Sequence, residues 1–417
     1  MNIYLIIILS LITFSFILNI LVEYLNLKNV NSNLPEEFLN YYDKDRYTKS
    51  QHYLKDTTLF GFFSTTFTTL ITVCFILFGG FNYIDNFSRS MVSGSIVRGL
   101  FFFAILAILN TLISIPFSYY STFVIEEKYG FNKTTPVTFL VDTLKSLILT
   151  FILGGIFLSC ILWLFGTLEN TAWLYCWGFT TAFQFIVMFI APVLIMPLFN
   201  KYTPLEEGEL KTAIKDYADI QKFKLEGIYK MDGSKRTSKA NAFFTGFGKF
   251  KRIVLYDNLI EKHSSEEIVA ILAHEIGHYR KKHIQKHFAL SILSSGIMFF
   301  IMGFFIKNKG LFDAFKMEYL SIYASLCFFA FLYSPISTII SIVANFLSRK
   351  YEYEADNFAM QTIKKSEALA EGLKKLSADS LSNLTPHPIK VFMDYSHPPI
   401  LKRIKEIEKY KKDKNCR

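Results

Sequence analysis

The chain has 417 residues, of which 51% are hydrophobic and only 19% are charged, and its formal net charge is +10. A soluble globular protein typically has about 25% charged residues, so the composition argues against a soluble protein. The basic residues lie in loops between long apolar runs, which argues against a nucleic-acid-binding face and is typical of the flanks of membrane helices.

Seven apolar runs are long enough to cross a bilayer, whose ~30 Å core needs about 20 helical residues. The first run lacks a basic start and a small-residue cleavage site, so we interpret it as a retained helix rather than a signal peptide. The fifth contains Pro192 and Pro197, which predict a kink near its end. The predicted spans are residues 3–22, 58–80, 99–120, 146–167, 173–199, 288–306 and 319–347.

Seven spans place two large polar segments, residues 200–287 and the tail from 348, on the same side of the membrane. The short loops on that side carry more basic residues than the opposite loops, so the positive-inside rule predicts a cytoplasmic location for both segments. The basic residues on that side are Lys28, Lys44, Arg46, Lys49, Lys55, Lys128, Lys133 and Lys145. Those in the opposite loops are Arg89, Arg98, Lys307, Lys309 and Lys316.

The five cysteines form no CxxC pair. Four of them lie within apolar runs and Cys416 is in the tail. This distribution argues against a disulfide framework and against a zinc site made of cysteines.

The first polar segment reads as an α+β unit. An amphipathic helix follows the Pro-marked turn at residue 204, and KRIVLYD has the composition of a strand. Gly246 and Gly248 separate this strand from the preceding apolar run, which predicts a short hairpin. Ser264 and Glu267 then form a capping box that predicts the start of a helix.

Residues 274–278 of that helix read HEIGH. His274 and His278 are four residues apart, so their imidazoles lie on one face and can reach a single metal ion. Glu275 is rotated away from the pair and can reach the water that the metal activates without being a ligand. Gly277 leaves room for another backbone or for a substrate. The pattern predicts a zinc hydrolase whose third ligand comes from elsewhere in the chain.

The third ligand is expected in SRKYEYEADNFA, residues 348–359. The HEIGH helix runs almost directly into span six, and this acidic segment directly follows span seven, so both lie at the same membrane surface. Glu352, Glu354 and Asp356 compete for the role. Glu352 and Asp356 share a helix face, so one can bind the metal while the other orients a ligand imidazole, and Glu354 points elsewhere.

A second histidine pair, His283 and His287, has the same spacing as the HEIGH pair but no adjacent acid. We interpret this second pair as a basic helix end near lipid headgroups rather than as part of a metal site.

Four segments resemble, in chain order, the motifs of the type I CAAX prenyl endopeptidases, which are integral-membrane zinc metalloproteases with seven spans around a large chamber. The segments are NAFFTGFGKFKRIVLYDNLI, ILAHEIGHY, LSRKYEYEADNFA and YSHPPILKRI. The similarity extends from about residue 50 onward and is far more specific than the HExxH pattern alone. The short loops favour a bacterial-type member.

The resemblance implies one zinc ion per chain, bound by His274, His278 and Glu352, with Glu275 as the general base. Glu354 departs from the Gln that is common at its position in the family. The family's substrates are prenylated C-terminal CAAX tails that lose their last three residues. The expected partners are therefore a membrane-attached or lipidated peptide or protein and the lipid bilayer, with no nucleic acid.

Four further residues fall on other family positions. Asp356 matches an Asp that is described either as a partner of a zinc histidine or as a proton donor, and His397 matches a late histidine that steadies the transition state. Asn241 and Ala242 match the edge segment, here 238–247, that pairs with substrate backbone.

The predicted fold is predominantly all-α, a polytopic membrane protein of about seven transmembrane helices that enclose a chamber, with a zincin-like cytoplasmic α+β catalytic portion. A bacterial inner membrane is the expected location. We divide the chain into residues 1–199 with spans one to five, 200–287 with the edge strand and HEIGH helix, 288–347 as a transmembrane hairpin, and 348–417 with the third ligand.

Other functions are compatible with the motifs. A membrane-protein quality-control zinc protease would use the same site on damaged substrates. A transporter or channel with a structural zinc site predicts paired charges inside several spans, and the sequence has few. An inactive scaffold or receptor would tolerate loss of motif residues, and all are present.

Overall fold

The computed structural model describes residues 2–31, 33–245, 251–365 and 367–415, and most of them are helical. In chain order the helices are α1 (Ile3–Lys28), α2 (Lys44–Leu77), α3 (Gly80–Met91), α4 (Ser95–Tyr120), α5 (Glu127–Tyr129), α6 (Pro136–Thr167), α7 (Ala172–Ile190), α8 (Glu209–Ile220), α9 (Asp257–Lys262), α10 (Ser265–Arg280), α11 (His283–Gly303), α12 (Lys309–Ala314), α13 (Ile322–Thr362), α14 (Glu367–Asp379), α15 (Pro388–Asp394) and α16 (Ile400–Asn415). The strands are β1 (Tyr202–Pro204), β2 (Gly227–Met231), β3 (Ala242–Thr245) and β4 (Arg252–Tyr256).

Within the described ranges seven helical segments are long and apolar enough to cross a membrane, which confirms the predicted number of spans. They contain α1, α2, α4, α6, α7, α11 and α13. Several continue past the apolar run because polar residues extend the same helix. The longest, α13, has 41 residues, and a bilayer core needs about 20. The division predicted at 347/348 therefore falls inside one continuous helix.

The predicted kink after span five is present. α7 ends at Ile190 and continues as a π turn, Ala191–Ile195, and a 3₁₀ turn, Met196–Leu198. Pro192 and Pro197 lie in these turns, where they lack the N–H group that an α-helix would use.

The spans form a closed ring. α1 contacts α2, and α2 contacts the π-helical extension of α4, Ser121–Glu126; α4 then contacts α6, α6 contacts α7, α7 contacts α11, α11 contacts α13, and α13 contacts α1. In the most apolar window of each span no more than 22% of the residues are buried, so the ring is not a solid bundle. The seven helices enclose a chamber.

An aromatic cluster closes the end of the ring that lies opposite the polar segments. Phe328 of α13 stacks on Phe315, with ring centroids 3.8 Å apart, and both rings pack edge-on against Phe81 of α3. Ile8 and Phe102 from two further spans are buried in the same cluster. This hydrophobic core joins α1, α3, α4, α12 and α13.

The polar segments form an α+β unit at the other end. The strand order is β1-β2-β4-β3, with β2 and β4 parallel and the remaining pairs antiparallel. The antiparallel pairing of β3 with β4 agrees with the predicted hairpin. Its turn, with Gly246 and Gly248, lies outside the described residues. The capping box is present, since Ser264 and Glu267 each bond the other's backbone N–H at the start of α10.

Candidate metal centre

The candidate site lies where the HEIGH helix α10 crosses the polar C-terminal extension of α13. Gly277 permits the close approach, because a Cβ atom at this position would lie 3.0 Å from the Ala355 Cα atom and 3.1 Å from its carbonyl oxygen. Buried Ala270, Ala273 and Ala359 also line this packing region. Small residues along both helices therefore bring their polar side chains together.

His274, His278 and Glu352 form a compact group. Their ligand atoms all lie within 4.8 Å of one another, and this is the metal-type cluster found among the described residues. The two Nε2 atoms are 3.0 Å apart, His278 Nε2 is 3.2 Å from Glu352 Oε1, and His274 Nε2 is 3.4 Å from Glu352 Oε2. Both His274 and Glu352 are buried.

This group fits a divalent metal ion. Two imidazoles and one carboxylate are a typical donor set for a catalytic metal that keeps one position open, and ligand atoms bound at ~2.0–2.1 Å in tetrahedral geometry lie about 3.3 Å apart. Glu352 Oε2 is buried without a hydrogen-bond partner in the described part of the chain; Arg403 Nη1 lies 3.2 Å away but not in hydrogen-bond geometry. A bound cation would satisfy this oxygen.

Asp356 lies behind His274. Its Oδ1 atom is 2.8 Å from His274 Nδ1, and it also accepts two hydrogen bonds from Arg403, at 2.8 and 2.6 Å. Burial by itself lowers the pKa of His274, but the hydrogen bonds with Asp356 and Glu352 outweigh burial and raise that pKa to about 9. A metal ion therefore has to displace a proton from this imidazole at neutral pH.

Arg403 was not predicted from the sequence. It is buried against two carboxylates, and although burial disfavours the charged form, Asp356 keeps the pKa of Arg403 above its ordinary value. The sequence did contain a pattern that could have identified Arg403. Ile400, Ile404 and Ile407 define the apolar face of α16, and Arg403 lies on that face. A lone charge among inward-facing apolar residues indicates a buried partner.

The remaining predicted residues surround a cleft of about 390 Å³ next to the metal group. Glu275, Asn241, Ala242 and His397 all line it. His397 is exposed, and its Nε2 atom lies 3.4 Å from Glu352 Oε1. The structure thus brings together the residues that the sequence predicted as metal ligands, general base and substrate contacts. Asp356 does not line the cleft and lies behind His274.

β3 is the edge strand beside this cleft. Its inner edge pairs with β4, where Ala242 faces Leu255, and the Asn241 carbonyl accepts from the Tyr256 N–H at 3.0 Å. Within the described ranges no strand pairs with its other edge. Residues 246 and 247 of the predicted substrate-binding edge lie outside the described part of the chain.

The interpretation of His283 as a headgroup-facing residue is wrong. His283 is 1% exposed, its Nδ1 atom lies 3.0 Å from His278 Nδ1, and its Nε2 atom lies 3.1 Å from Glu354 Oε2. His287 is exposed but also lines the cleft. No pattern in the sequence signals the contact with His278, because it depends on a helix break at Lys282.

Comparison with known proteins places nearly the whole chain in one family. Residues 23–201 match the family model described as CAAX prenyl protease N-terminal, five membrane helices, and residues 204–411 match peptidase family M48. CAAX prenyl protease 1 of Saccharomyces cerevisiae is 34% identical over 401 residues, which cover 90% of this chain and 88% of that protein. The Arabidopsis thaliana homologue is 32% identical over 96% of this chain and 97% of its own length.

The crystal structure of S. mikatae Ste24p has the same architecture. It matches with a TM-score of 0.93 and 32% identity, over 97% of this chain and 99% of that one. The first family model ends at residue 201 and the second begins at residue 204. The chain therefore belongs to the CAAX prenyl protease 1 group of peptidase family M48 and is a multi-pass integral-membrane metallopeptidase.

Proposed function

We propose that this protein is a zinc endopeptidase that removes the C-terminal tripeptide from prenylated CAAX proteins at the cytoplasmic membrane surface. The observation that carries the proposal is the cluster of His274, His278 and Glu352. It opens to a cleft beside the edge of β3 that pairs with no strand in the described part of the chain.

One zinc ion per chain would be held by His274, His278 and Glu352. When bound there, zinc supplies a Lewis acid that lowers the pKa of water and polarises a peptide carbonyl. The nitrogen-rich ligand set favours zinc over magnesium or calcium, which prefer oxygen ligands.

Glu275 is the general base of this proposal. It lines the cleft directly beside the first histidine ligand and is only partly buried, so a carboxylate there can meet water and substrate. It takes a proton from the attacking water and passes the proton to the nitrogen of the leaving amine.

His397 and Asp356 have different roles because their surroundings differ. His397 is exposed to the cleft and can donate a hydrogen bond to the oxygen that becomes negative during attack. Asp356 is buried and already engaged by His274 and Arg403, so it orients a ligand instead of touching substrate.

The substrate backbone would add to the outer edge of β3, next to Asn241 and Ala242. Main-chain hydrogen bonds along such an edge bind an extended peptide with little dependence on its sequence. The scissile carbonyl would then lie between the edge strand and the HEIGH helix.

Membrane-attached substrates fit the position of the cleft. α11 begins at His283, three residues after α10 ends, so the metal group lies within a few residues of a membrane span. The matched proteins of yeast and plant are named CAAX prenyl proteases. The larger number of basic residues in the loops on that side supports a cytoplasmic catalytic side. The bacterial inner membrane stays a prediction from the short loops alone, and the relatives named above are eukaryotic.

The test compares purified wild type with Glu275→Gln on a farnesylated CAAX peptide, the same peptide without its lipid, and an unfolded membrane protein. We expect one zinc per chain in both proteins. Cleavage of the farnesylated peptide should fall by about 10²–10⁴-fold in the variant, because the general base is lost while the ligands remain.

Undiminished cleavage by Glu275→Gln would remove the general-base assignment. Cleavage of the unfolded protein without cleavage of the farnesylated peptide would assign the enzyme to quality control instead of tail processing.

A further inference from the structure

His283 lies directly behind His278, although the two residues are in different helices. α10 ends at Arg280, and Lys282 adopts a left-handed conformation, with φ of 57°, before α11 begins at His283. On an uninterrupted helix two residues five apart are rotated about 140° from each other and do not touch. The break turns the chain back, and the Nδ1 atoms of the two imidazoles are 3.0 Å apart.

The other nitrogen of His283 faces a carboxylate of α13. His283 Nε2 lies 3.1 Å from Glu354 Oε2, and the imidazole stacks on the Tyr351 ring with centroids 4.3 Å apart and an interplanar angle of 11°. Because His283 is buried, protein groups rather than bulk water have to satisfy both of its nitrogens.

These three groups are compatible with one arrangement of protons. An ionised carboxylate only accepts hydrogen bonds, so His283 Nε2 donates to Glu354. A neutral imidazole then has a lone pair at Nδ1, and His278 Nδ1 donates to it. His278 Nε2 therefore carries no proton and has a free lone pair, and this atom faces His274 and Glu352.

We propose that His283 and Glu354 are positioning residues of the metal site, which hold His278 in the tautomer and orientation that bind the ion. The proposal rests on the proposed function, in that His278 has to be a metal ligand. His274 is held in the same way by Asp356. α13 therefore supplies one ligand and orients both histidines, one directly and the other through His283.

Three substitutions separate hydrogen bonding from packing. His283→Phe keeps a flat ring against Tyr351 and removes both hydrogen bonds. Glu354→Gln keeps an oxygen that accepts from His283, whereas Glu354→Leu has none. His287→Phe is the matched control, since His287 contacts the same Tyr351 ring one turn further along α11 and, within the described part of the chain, does not hydrogen-bond to His278.

The experiment measures the zinc affinity of each full-length variant by competition with a chromophoric chelator, and the melting temperature of each metal-free protein. Outer partners of metal-bound histidines are typically worth about 10–100-fold in affinity, so we expect His283→Phe and Glu354→Leu to bind zinc more weakly by that factor. Glu354→Gln and His287→Phe should stay within about threefold of wild type, because neither removes the partner of His278.

Equal zinc affinity in wild type and His283→Phe would overturn the proposal. The proposal would also be overturned if Glu354→Leu and Glu354→Gln both lose zinc affinity to the same extent, because packing rather than hydrogen bonding would then explain the loss. If the melting temperature shows that His283→Phe does not fold, the two Glu354 variants decide the question. A wild-type protein that takes up no zinc would overturn the proposed function itself. If instead the wild type binds zinc and the variants bind it equally well, only the positioning role of His283 and Glu354 is overturned.

Discussion

At the scale of residues, two acids one helical turn apart differ because their neighbours differ. Glu352 points one oxygen at each histidine and has a buried oxygen without a hydrogen-bond partner in the described chain. Asp356 is engaged on both oxygens by Arg403 and on one by His274. The first carboxylate therefore has an oxygen open to a cation, whereas both oxygens of the second are already engaged.

This difference predicts separate effects of two conservative substitutions. Glu352→Gln removes the anionic ligand, so purified protein should lose its stoichiometric metal. Asp356→Asn should keep one metal per chain but weaken its affinity by about 10–100-fold, because only the orientation of His274 is impaired. Metal analysis after gel filtration checks both. Retention of one metal per chain in Glu352→Gln would move the ligand role to a neighbouring acid.

At the scale of elements, the site depends on how closely α10 and α13 approach. The approach is set at Gly277, where an added Cβ would meet backbone atoms of Ala355 and the Phe358 Cβ atom at 3.0–3.2 Å. Backbone atoms cannot rotate away as a flexible side chain can. The distance between the histidines on one helix and Glu352 on the other therefore depends on this glycine.

We expect Gly277→Ala to destabilise the protein by about 1–3 kcal/mol, as overpacking does, and to weaken metal binding because the helices separate. Gly372→Ala is the matched control. Its Cβ would meet Glu267 and Ile271 atoms at 3.6 Å, an ordinary contact, so this change should be neutral or should stabilise α14 by up to about 1 kcal/mol. Thermal unfolding and chelator competition measure the two effects. Equal behaviour of the two variants would contradict the role assigned to Gly277.

At the scale of the whole molecule, one helix joins two distant structures. α13 begins in the aromatic cluster that closes one end of the chamber and ends in the metal group at the other. Phe328 and Glu352 are 24 positions apart, which is about 36 Å along a helix. In the most apolar window of each of the seven spans few residues are buried within the protein, whereas both ends of α13 are packed.

Phe328→Ala should therefore lower stability without removing the metal. The ring is fully buried against Phe315, and loss of a buried Phe typically costs about 3–5 kcal/mol. Phe346→Ala in the same helix removes a ring that is 60% exposed and should have a much smaller effect. The melting temperature in detergent and the metal content per chain, measured for both variants and the wild type, test this prediction. Loss of metal at an unchanged melting temperature would show that the two ends are not independent in this way.

The sequence by itself determined the features that depend on neighbouring residues. The length of each apolar run predicted the seven spans, the prolines predicted the broken end of α7, and Ser264 with Glu267 predicted the start of α10. The spacing of His274 and His278 predicted a pair on one helix face. These properties follow from helix periodicity and from the thickness of a bilayer, so no distant contact is needed to predict them.

Only the tertiary structure decided which distant groups meet. It set Glu352 against both histidines and Asp356 against His274, brought Arg403 from α16 beneath both acids, and turned His283 back onto His278. These contacts depend on the crossing of α10 and α13 and on a left-handed residue at Lys282. The spacing of residues along the chain does not encode the angle at which two helices cross, and packing alone sets it.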